Sequence, residues 1–372
     1  MEGEREEMEE GKTEESEKKD IKSYTLPELT KELEGLGEKR FRAAQIFDWL
    51  HKRQVTDFSC MTNLPETLRN RLREVYSLVV LREVKRLSSA QDETVKFLFA
   101  LPDDKVIESV FMKYKHGNSV CISSQAGCRM GCRFCASTLG GLERNLLPSE
   151  MLEQIYRIQE LTGERVSHVV VMGTGEPMDN YDNLVRFLRL LTAEQGQGMS
   201  IRNITVSTCG IVENIRRFAE EGLPVTLALS LHAPDDTVRR RLMPVANRYP
   251  LSEVLAACDD YFEKTGRRIT YEYSLVAEEN DTKEEAEKLG RLLHGRNCHV
   301  NLIPVNPVKE RAYRQSSFKN VLNFRKTLEK YNINVTIRRE LGADIGAACG
   351  QLRKSHLDSV SGMESREGAG YE

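Results

Sequence analysis

The chain has 372 residues, 40% of them hydrophobic and 30% charged, with a formal net charge of −3. That length is enough to bury a sizeable core and excludes a minimal disulfide-stapled fold, so one large domain plus a smaller one is expected. No apolar run approaches the roughly 18 residues of a membrane span, and the charged start lacks the apolar stretch of a secretory leader, so a cytoplasmic protein without membrane contact is expected.

Charge is unevenly placed. Residues 1–20 hold ten acidic and four basic side chains, a net of −6, which leaves +3 for the remainder. A mildly basic body permits contact with nucleic acid without demanding it. This first stretch has almost no large apolar side chains and is predicted to be disordered. Residues 21–80 then show helical apolar spacing in "LPELTKELEGLG", "RFRAAQIFDWLHKR" and "LPETLRNRLREVY". They predict a small helical domain rich in Arg and Lys, suited to packing or to docking on a phosphate backbone. Residues 81–119 alternate apolar and polar side chains around turns such as "PDDK" and "HGN", and predict an antiparallel β extension.

From 120 to 342 the pattern changes. Strand-like runs ("VCISSQ", "HVVVMGTGEP", "ITVSTCG", "VTLALSLHA", "ITYEYSLV", "HVNLIPVNP") alternate six times with amphipathic helical stretches. That alternation predicts an α/β fold with a parallel sheet covered by helices. Six repeats fall short of a full eight-fold barrel, so an open partial (β/α)6 barrel is expected, with its functional residues at the C-terminal ends of the strands. A further helix and strand lead to residues 343–372, a loop containing "DIGAACGQL" and a loose tail.

The nine cysteines, an odd number in a chain with no expected leader, argue for a reducing compartment where clustered thiols mean metal binding or catalysis. Cys128, Cys132 and Cys135 are spaced C-x3-C-x2-C beside Gly127 and Gly131, with no fourth ligand nearby. Structural zinc and all-cysteine iron–sulfur cubes normally take four ligands. Three thiolates would leave one iron open to a substrate or cofactor. In "GTGEP", Gly173 and Gly175 allow close backbone approach and Glu176 offers a carboxylate to a cationic amine. Ser207, Ser230, His232 and Asn306 stand at other strand ends. Each alone is an ordinary turn residue; their joint placement carries the weight. By its residue type alone Glu108 reads as a solvent-facing strand position, and Cys60, Cys258 and Cys298 as small buried hydrophobes.

C-x3-C-x2-C with Phe134 before the third cysteine resembles the signature of radical S-adenosylmethionine enzymes. The resemblance implies a partial (β/α)6 radical-SAM barrel in which Cys128, Cys132 and Cys135 hold a [4Fe–4S] cluster. It further implies that S-adenosylmethionine chelates the open iron and that Gly175, Glu176, Ser207, Ser230, Leu231, His232 and Asn306 bind it. "VCISSQAGCRMGCRFC", "MGTGEPMDNYDN", "LSLHAPDDTVRRRLMPV", "NLIPVNP" and "ACGQL", in that order from about Tyr24 to Leu352, further resemble the bacterial adenine C2-methyltransferases of 23S ribosomal RNA and transfer RNA. That resemblance implies two molecules of S-adenosylmethionine per turnover, Cys349 as methyl carrier, Cys121 as the thiol that resolves it by disulfide formation, and Glu108 as the base. It also implies a monomer with an electron donor such as flavodoxin or ferredoxin. The family usually has methionine where this chain has Thr174, a change expected to alter packing only. Two rival readings stay open: the related adenine C8-methyltransferases, which share the cluster and both extra cysteines, and a non-catalytic zinc and RNA-binding module.

Overall fold

The structure, a computed structural model, describes residues 18–306 and 312–346. It divides after Val79 into two compact units.

The first unit begins with β1 (Lys19–Asp20), followed by α1 (Leu26–Gly35), α2 (Phe41–His51), α3 (Glu66–Val75) and β2 (Tyr76–Ser77). Strand β1 pairs with β2 in parallel, so Lys19 and Asp20, expected to be disordered, form part of a strand. Helix α1 starts where Glu28 accepts a hydrogen bond from the Thr25 N–H at 2.9 Å, which satisfies an amide that the first turn leaves without a helical partner. Leu29, Leu33, Ile46, Phe47, Leu50, Leu68 and Leu72 bury the apolar faces of the three helices. Cys60, expected to be buried, is exposed, because it lies in a short 3-10 turn that contributes only Phe58 to the core.

The second unit opens with four strands, β3 (Arg82–Ser88), β4 (Val95–Ala100), β5 (Val106–Tyr114) and β6 (Gly117–Ile122), and a small hairpin, β7 (Gln125–Gly127) with β8 (Leu142–Asn145). Then follow α4 (Pro148–Thr162), β9 (Val166–Val171), α5 (Tyr181–Thr192), β10 (Ile204–Thr208), α6 (Val212–Ala219), β11 (Thr226–Ser230), α7 (Asp236–Leu242) and α8 (Leu251–Thr265). The last elements are β12 (Ile269–Leu275), α9 (Lys283–Leu293), β13 (Cys298–Pro304), α10 (Phe318–Glu329) and β14 (Asn334–Ile337). Ten strands make one sheet in the order β14-β13-β12-β11-β10-β9-β6-β5-β4-β3. From β6 to β14 neighbours run parallel, and from β3 to β6 antiparallel. The barrel is open, since β14 and β3 stand at opposite edges.

The register decides what each face carries. Opposed residues share a face, and so do residues two apart on a strand. Lys96 lies opposite Val110, Val110 opposite Cys121, and Cys121 opposite Val170. Val170 pairs with Thr205, Ser207 with Ala228, Ser230 with Glu272, and Glu272 with Asn301. One face therefore carries Lys96, Glu108, Cys121, Ser207, Ser230, Glu272 and Asn301. The other carries the fully buried Val169, Val206, Leu227, Leu229, Tyr273, Val300 and Leu302, and is the main apolar core.

Candidate active site

The three clustered cysteines sit in the turn that joins β7 to β8. Gly127 opens it with φ +76°, and a Cβ there would meet the Gly141 carbonyl oxygen at 2.0 Å, so only glycine fits. The Cys128 N–H donates to that carbonyl at 2.8 Å, and the Arg133 N–H donates to the Leu242 carbonyl at 2.9 Å. The Thr138 hydroxyl donates to the Cys132 and Cys135 carbonyls at 3.1 and 3.0 Å. The loop is thus held by its backbone and its thiols are left to border a cavity, together with Phe134, Gly173, Gly175, Glu176, Ser207, Cys209, Ser230 and His232. Burial pushes the Cys128 thiol up to about 11 and raises Cys132 and Cys135, the neighbouring thiols adding to the rise.

The "GTGEP" turn packs against the end of β6. A Cβ on Gly173 would meet the Ile122 carbonyl at 2.8 Å, and one on Gly175, at φ +111°, would meet Gln125 at 2.6 Å. Between them Thr174 acts through its backbone. Its carbonyl accepts from the Ser124 and Gln125 N–H groups at 2.9 and 3.1 Å, and its N–H donates to the Ser123 hydroxyl at 3.0 Å. These contacts do not depend on the side chain at this position, so a threonine there leaves them in place.

Glu176 is buried, and each carboxylate oxygen accepts a backbone N–H: Met178 at 3.0 Å and Cys209 at 2.7 Å. Burial raises its pKa. Among the described residues no lysine or arginine forms an ion pair with it, so an incoming ammonium group would supply a charge this carboxylate lacks. His232 is held at φ +56° with its ring 4.9 Å from that of Phe134. Its Nδ1 accepts the Ser274 N–H at 2.9 Å, which puts the proton of the neutral ring on Nε2. Burial, with Arg239 nearby, lowers its pKa to about 3, so the ring is neutral at physiological pH.

The structure thus gathers Cys128, Cys132, Cys135, Gly175, Glu176, Ser207, Ser230 and His232 around one cavity. Leu231 is fully buried and Asn306 is exposed just past β13; neither is among the residues lining it. Glu108 is buried rather than solvent-facing, 3.1 Å from the Lys96 ammonium. Cys121 stands on the adjacent strand β6, on the same face as Glu108. Cys349 lies outside the described residues.

Sequence reasoning missed the residues that brace the site. Gln125 accepts the Glu176 N–H at 2.8 Å, and Arg129 pairs with Asp179 at 2.5 Å. Arg239, fully buried, donates to the Cys209 carbonyl at 2.7 Å. Three consecutive arginines gave no sign of which one turns inward; the helical phase of α7 decides it.

Among the described residues no three His, Cys, Asp or Glu side chains converge as ligands of a single ion would. An iron–sulfur cube needs a different arrangement, one thiolate on each of several irons. Three thiols around one cavity, on a glycine-shaped loop beside a carboxylate without a cation, fit a cube with one open iron and an amine-bearing cofactor.

Residues 122–293 match the family described as the radical SAM superfamily, and residues 19–78 match the ribosomal RNA large subunit methyltransferase N-terminal domain. A probable dual-specificity RNA methyltransferase RlmN from Lachnoclostridium phytofermentans is 61% identical over 349 residues, spanning 94% of this chain and 98% of that protein. Another from Lachnospira eligens is 56% identical, with 92% of this chain and 97% of that one covered. A crystal structure of a radical SAM methyltransferase from Sphaerobacter thermophilus superposes with a TM-score of 0.86 at 42% identity, covering 90% of this chain and 98% of that one. On identity of that extent over nearly its whole length, the chain belongs to the RlmN family of dual-specificity RNA methyltransferases, within the radical SAM superfamily.

Proposed function

We propose that this protein methylates C2 of adenine in 23S ribosomal RNA and in transfer RNA. The observation that carries the reading is the single cavity that brings three thiols, the "GTGEP" turn and the strand-end Ser207, Ser230 and His232 together. The near-full-length identity to proteins named dual-specificity RNA methyltransferases supports it.

Cys128, Cys132 and Cys135 would hold the [4Fe–4S] cluster. Glu176 would pair with the amino group of S-adenosylmethionine, with Gly175, Ser207, Ser230 and His232, which line the same cavity, around the cofactor. Two molecules of S-adenosylmethionine, with an electron from a donor such as flavodoxin or ferredoxin, supply a methyl group and a hydrogen-abstracting radical. C2 of adenine lies between two ring nitrogens and is too electron-poor to attack a methyl sulfonium directly, so the methyl group needs an intermediate carrier.

In this reading the Cys349 sulfur carries it, the radical takes one hydrogen atom from the carried methyl group, and that carbon becomes bonded to C2. Glu108 removes the C2 proton, and the one electron left over on the adduct would pass to the oxidised one-electron carrier, so that the ring is restored. The Cys121 thiolate then attacks the Cys349 sulfur: an S–S bond forms, the C–S bond breaks, and its electron pair leaves with the methyl carbon, which takes up a proton. An external thiol reduces the disulfide.

The test is mass spectrometry of RNA from cells lacking the protein, complemented with wild type or Cys349→Ala. Restoration of 2-methyladenosine by wild type alone is expected. A change in 8-methyladenosine instead would overturn the C2 assignment. Zinc without iron or sulfide in anaerobically purified protein would overturn the chemistry altogether.

A further inference from the structure

Past β14 the chain crosses to the other edge of the open sheet. The Asp344 carboxylate accepts from the Ser89 hydroxyl at 2.7 Å and the Ala90 N–H at 2.8 Å, both in the turn between β3 and β4. In return, the Gly342 N–H donates to Asp92 at 2.9 Å. The crossing ends on Lys96 of β4, whose ammonium donates to the Gly346 carbonyl at 2.7 Å. Lys96 is fully buried, and the same ammonium lies 3.1 Å from the Glu108 carboxylate. The Glu108 carboxylate and the Gly346 carbonyl are therefore within about 6 Å of each other, on either side of one cation.

A lysine in this position is costly unless it has work to do. Lysine is among the residue types least often fully buried, and a buried ammonium needs a paired charge and further acceptors. Among the described residues it has one of each, and they come from separate parts of the chain: a strand of the antiparallel extension, and the segment three residues before Cys349. Three residues of extended chain span at most about 10 Å, so whatever fixes Gly346 limits where Cys349 can reach. Lys96, Glu108 and Cys121 share one face of the sheet, so that limit is set on the face that bears the other two groups.

We propose that Lys96 is a positioning residue for methyl transfer: its ammonium orients the Glu108 carboxylate and docks the segment that leads to Cys349 onto the same point. The proposal rests on the roles given above to Glu108 and Cys349. Loss of the ammonium frees residues 342–346 from one of their anchors and removes the Lys96 contact that orients Glu108, while the cysteine loop and the "GTGEP" turn, which Lys96 does not touch, stay as they are.

The experiment compares Lys96→Met, Lys96→Arg, Glu108→Gln and the double variant Lys96→Met/Glu108→Gln as iron-loaded holoenzymes. The double variant removes both charges and keeps the test usable should Lys96→Met alone fail to fold. Three quantities are read: hydrogen exchange of amides 342–346, methylation of the Cys349 thiol on incubation with S-adenosylmethionine, and kcat and KM for RNA. Lys96→Met and the double variant are expected to exchange 342–346 roughly tenfold faster or more, whereas Glu108→Gln keeps the protection of wild type. Lys96→Met is expected to lose roughly tenfold or more in kcat with KM for RNA little changed, and Lys96→Arg to recover part of it. Wild-type exchange in the double variant, or wild-type kcat in Lys96→Met, overturns the proposal. A wild-type enzyme that never carries a methyl group on Cys349 instead overturns the role given to Cys349, and the exchange data still decide whether Lys96 docks the segment.

Discussion

Glu176 has backbone donors on both carboxylate oxygens, from Met178 and Cys209, lines the cavity, and pairs with no lysine or arginine among the described residues. On the role proposed above for Glu176, two jobs are combined in one group, and two substitutions separate them. In Glu176→Ala both N–H groups lose their acceptor in a buried place, at about 1–3 kcal/mol each. That variant should show a lower denaturation midpoint and reduced iron content. Glu176→Gln keeps a carbonyl oxygen for one donor and loses the charge. It should fold with near-normal iron content, yet bind S-adenosylmethionine at least about tenfold more weakly, a loss of about 1.4 kcal/mol. Calorimetric titration of the iron-loaded enzyme measures this. Equal affinities for wild type and Glu176→Gln would remove the pairing of Glu176 with the cofactor's amine.

Among the elements, α2 carries the clearest pH signal. His51 at its end is fully buried, and burial, with the Lys22 ammonium adding to it, lowers its pKa to about 3. Its folded value lies below its ordinary 6.5, so in acid the unfolded chain takes up a proton that the folded one refuses. The contribution of this group to stability is complete above pH 6.5, falls as the pH drops, and is gone below about pH 3. The slope cannot exceed about 1.4 kcal/mol per pH unit for a single proton. Urea titrations at pH 7 and pH 4 should therefore differ more for wild type than for His51→Gln; an equal difference in the two would show that this histidine does not set the acid limb. The elements were also where the sequence was most readable. Helices such as Leu251–Thr265 follow their apolar spacing to within a residue, because that spacing is the buried stripe itself. The short helix Asp236–Leu242 went unread: seven residues with three arginines give too little apolar period, and its N-cap Asp235 looks like any turn residue. The cysteines, glycines and strand-end residues of the cavity were legible because each stands where a strand stops. Gln125, Asp179, Arg239 and Lys96 were not, since their importance lies in partners up to 250 residues away.

For the whole molecule the open question is how a cavity built for a small cofactor comes to act on RNA. The first unit, which matches a ribosomal RNA methyltransferase N-terminal domain, has surface features suited to that task. At the start of α2 the exposed Lys39 and Arg40 precede Phe41, which is 52% exposed and has the Arg42 guanidinium 4.9 Å from its ring centroid. An aromatic ring left in water beside positive charge has the chemistry to stack an unpaired base with phosphates nearby, and the prediction is that this surface docks RNA. None of these three side chains is part of the buried core of the unit. The triple substitution Lys39→Ala/Arg40→Ala/Phe41→Ala should leave stability within about 0.5 kcal/mol per position. RNA affinity should fall by about 10–100-fold, since a lost base stack alone costs about 1–3 kcal/mol. The salt dependence should flatten as well: for a single-stranded contact, each lost phosphate partner takes about 0.7 off the slope of log affinity against log salt. Cleavage of S-adenosylmethionine without RNA should continue at the wild-type rate, because the cavity keeps all its residues. Filter binding across a salt series, together with that cleavage assay, separates the outcomes. Unchanged affinity and slope would take RNA docking away from this surface, whereas a parallel loss of cofactor cleavage would mean that the substitutions had damaged the enzyme rather than its hold on RNA.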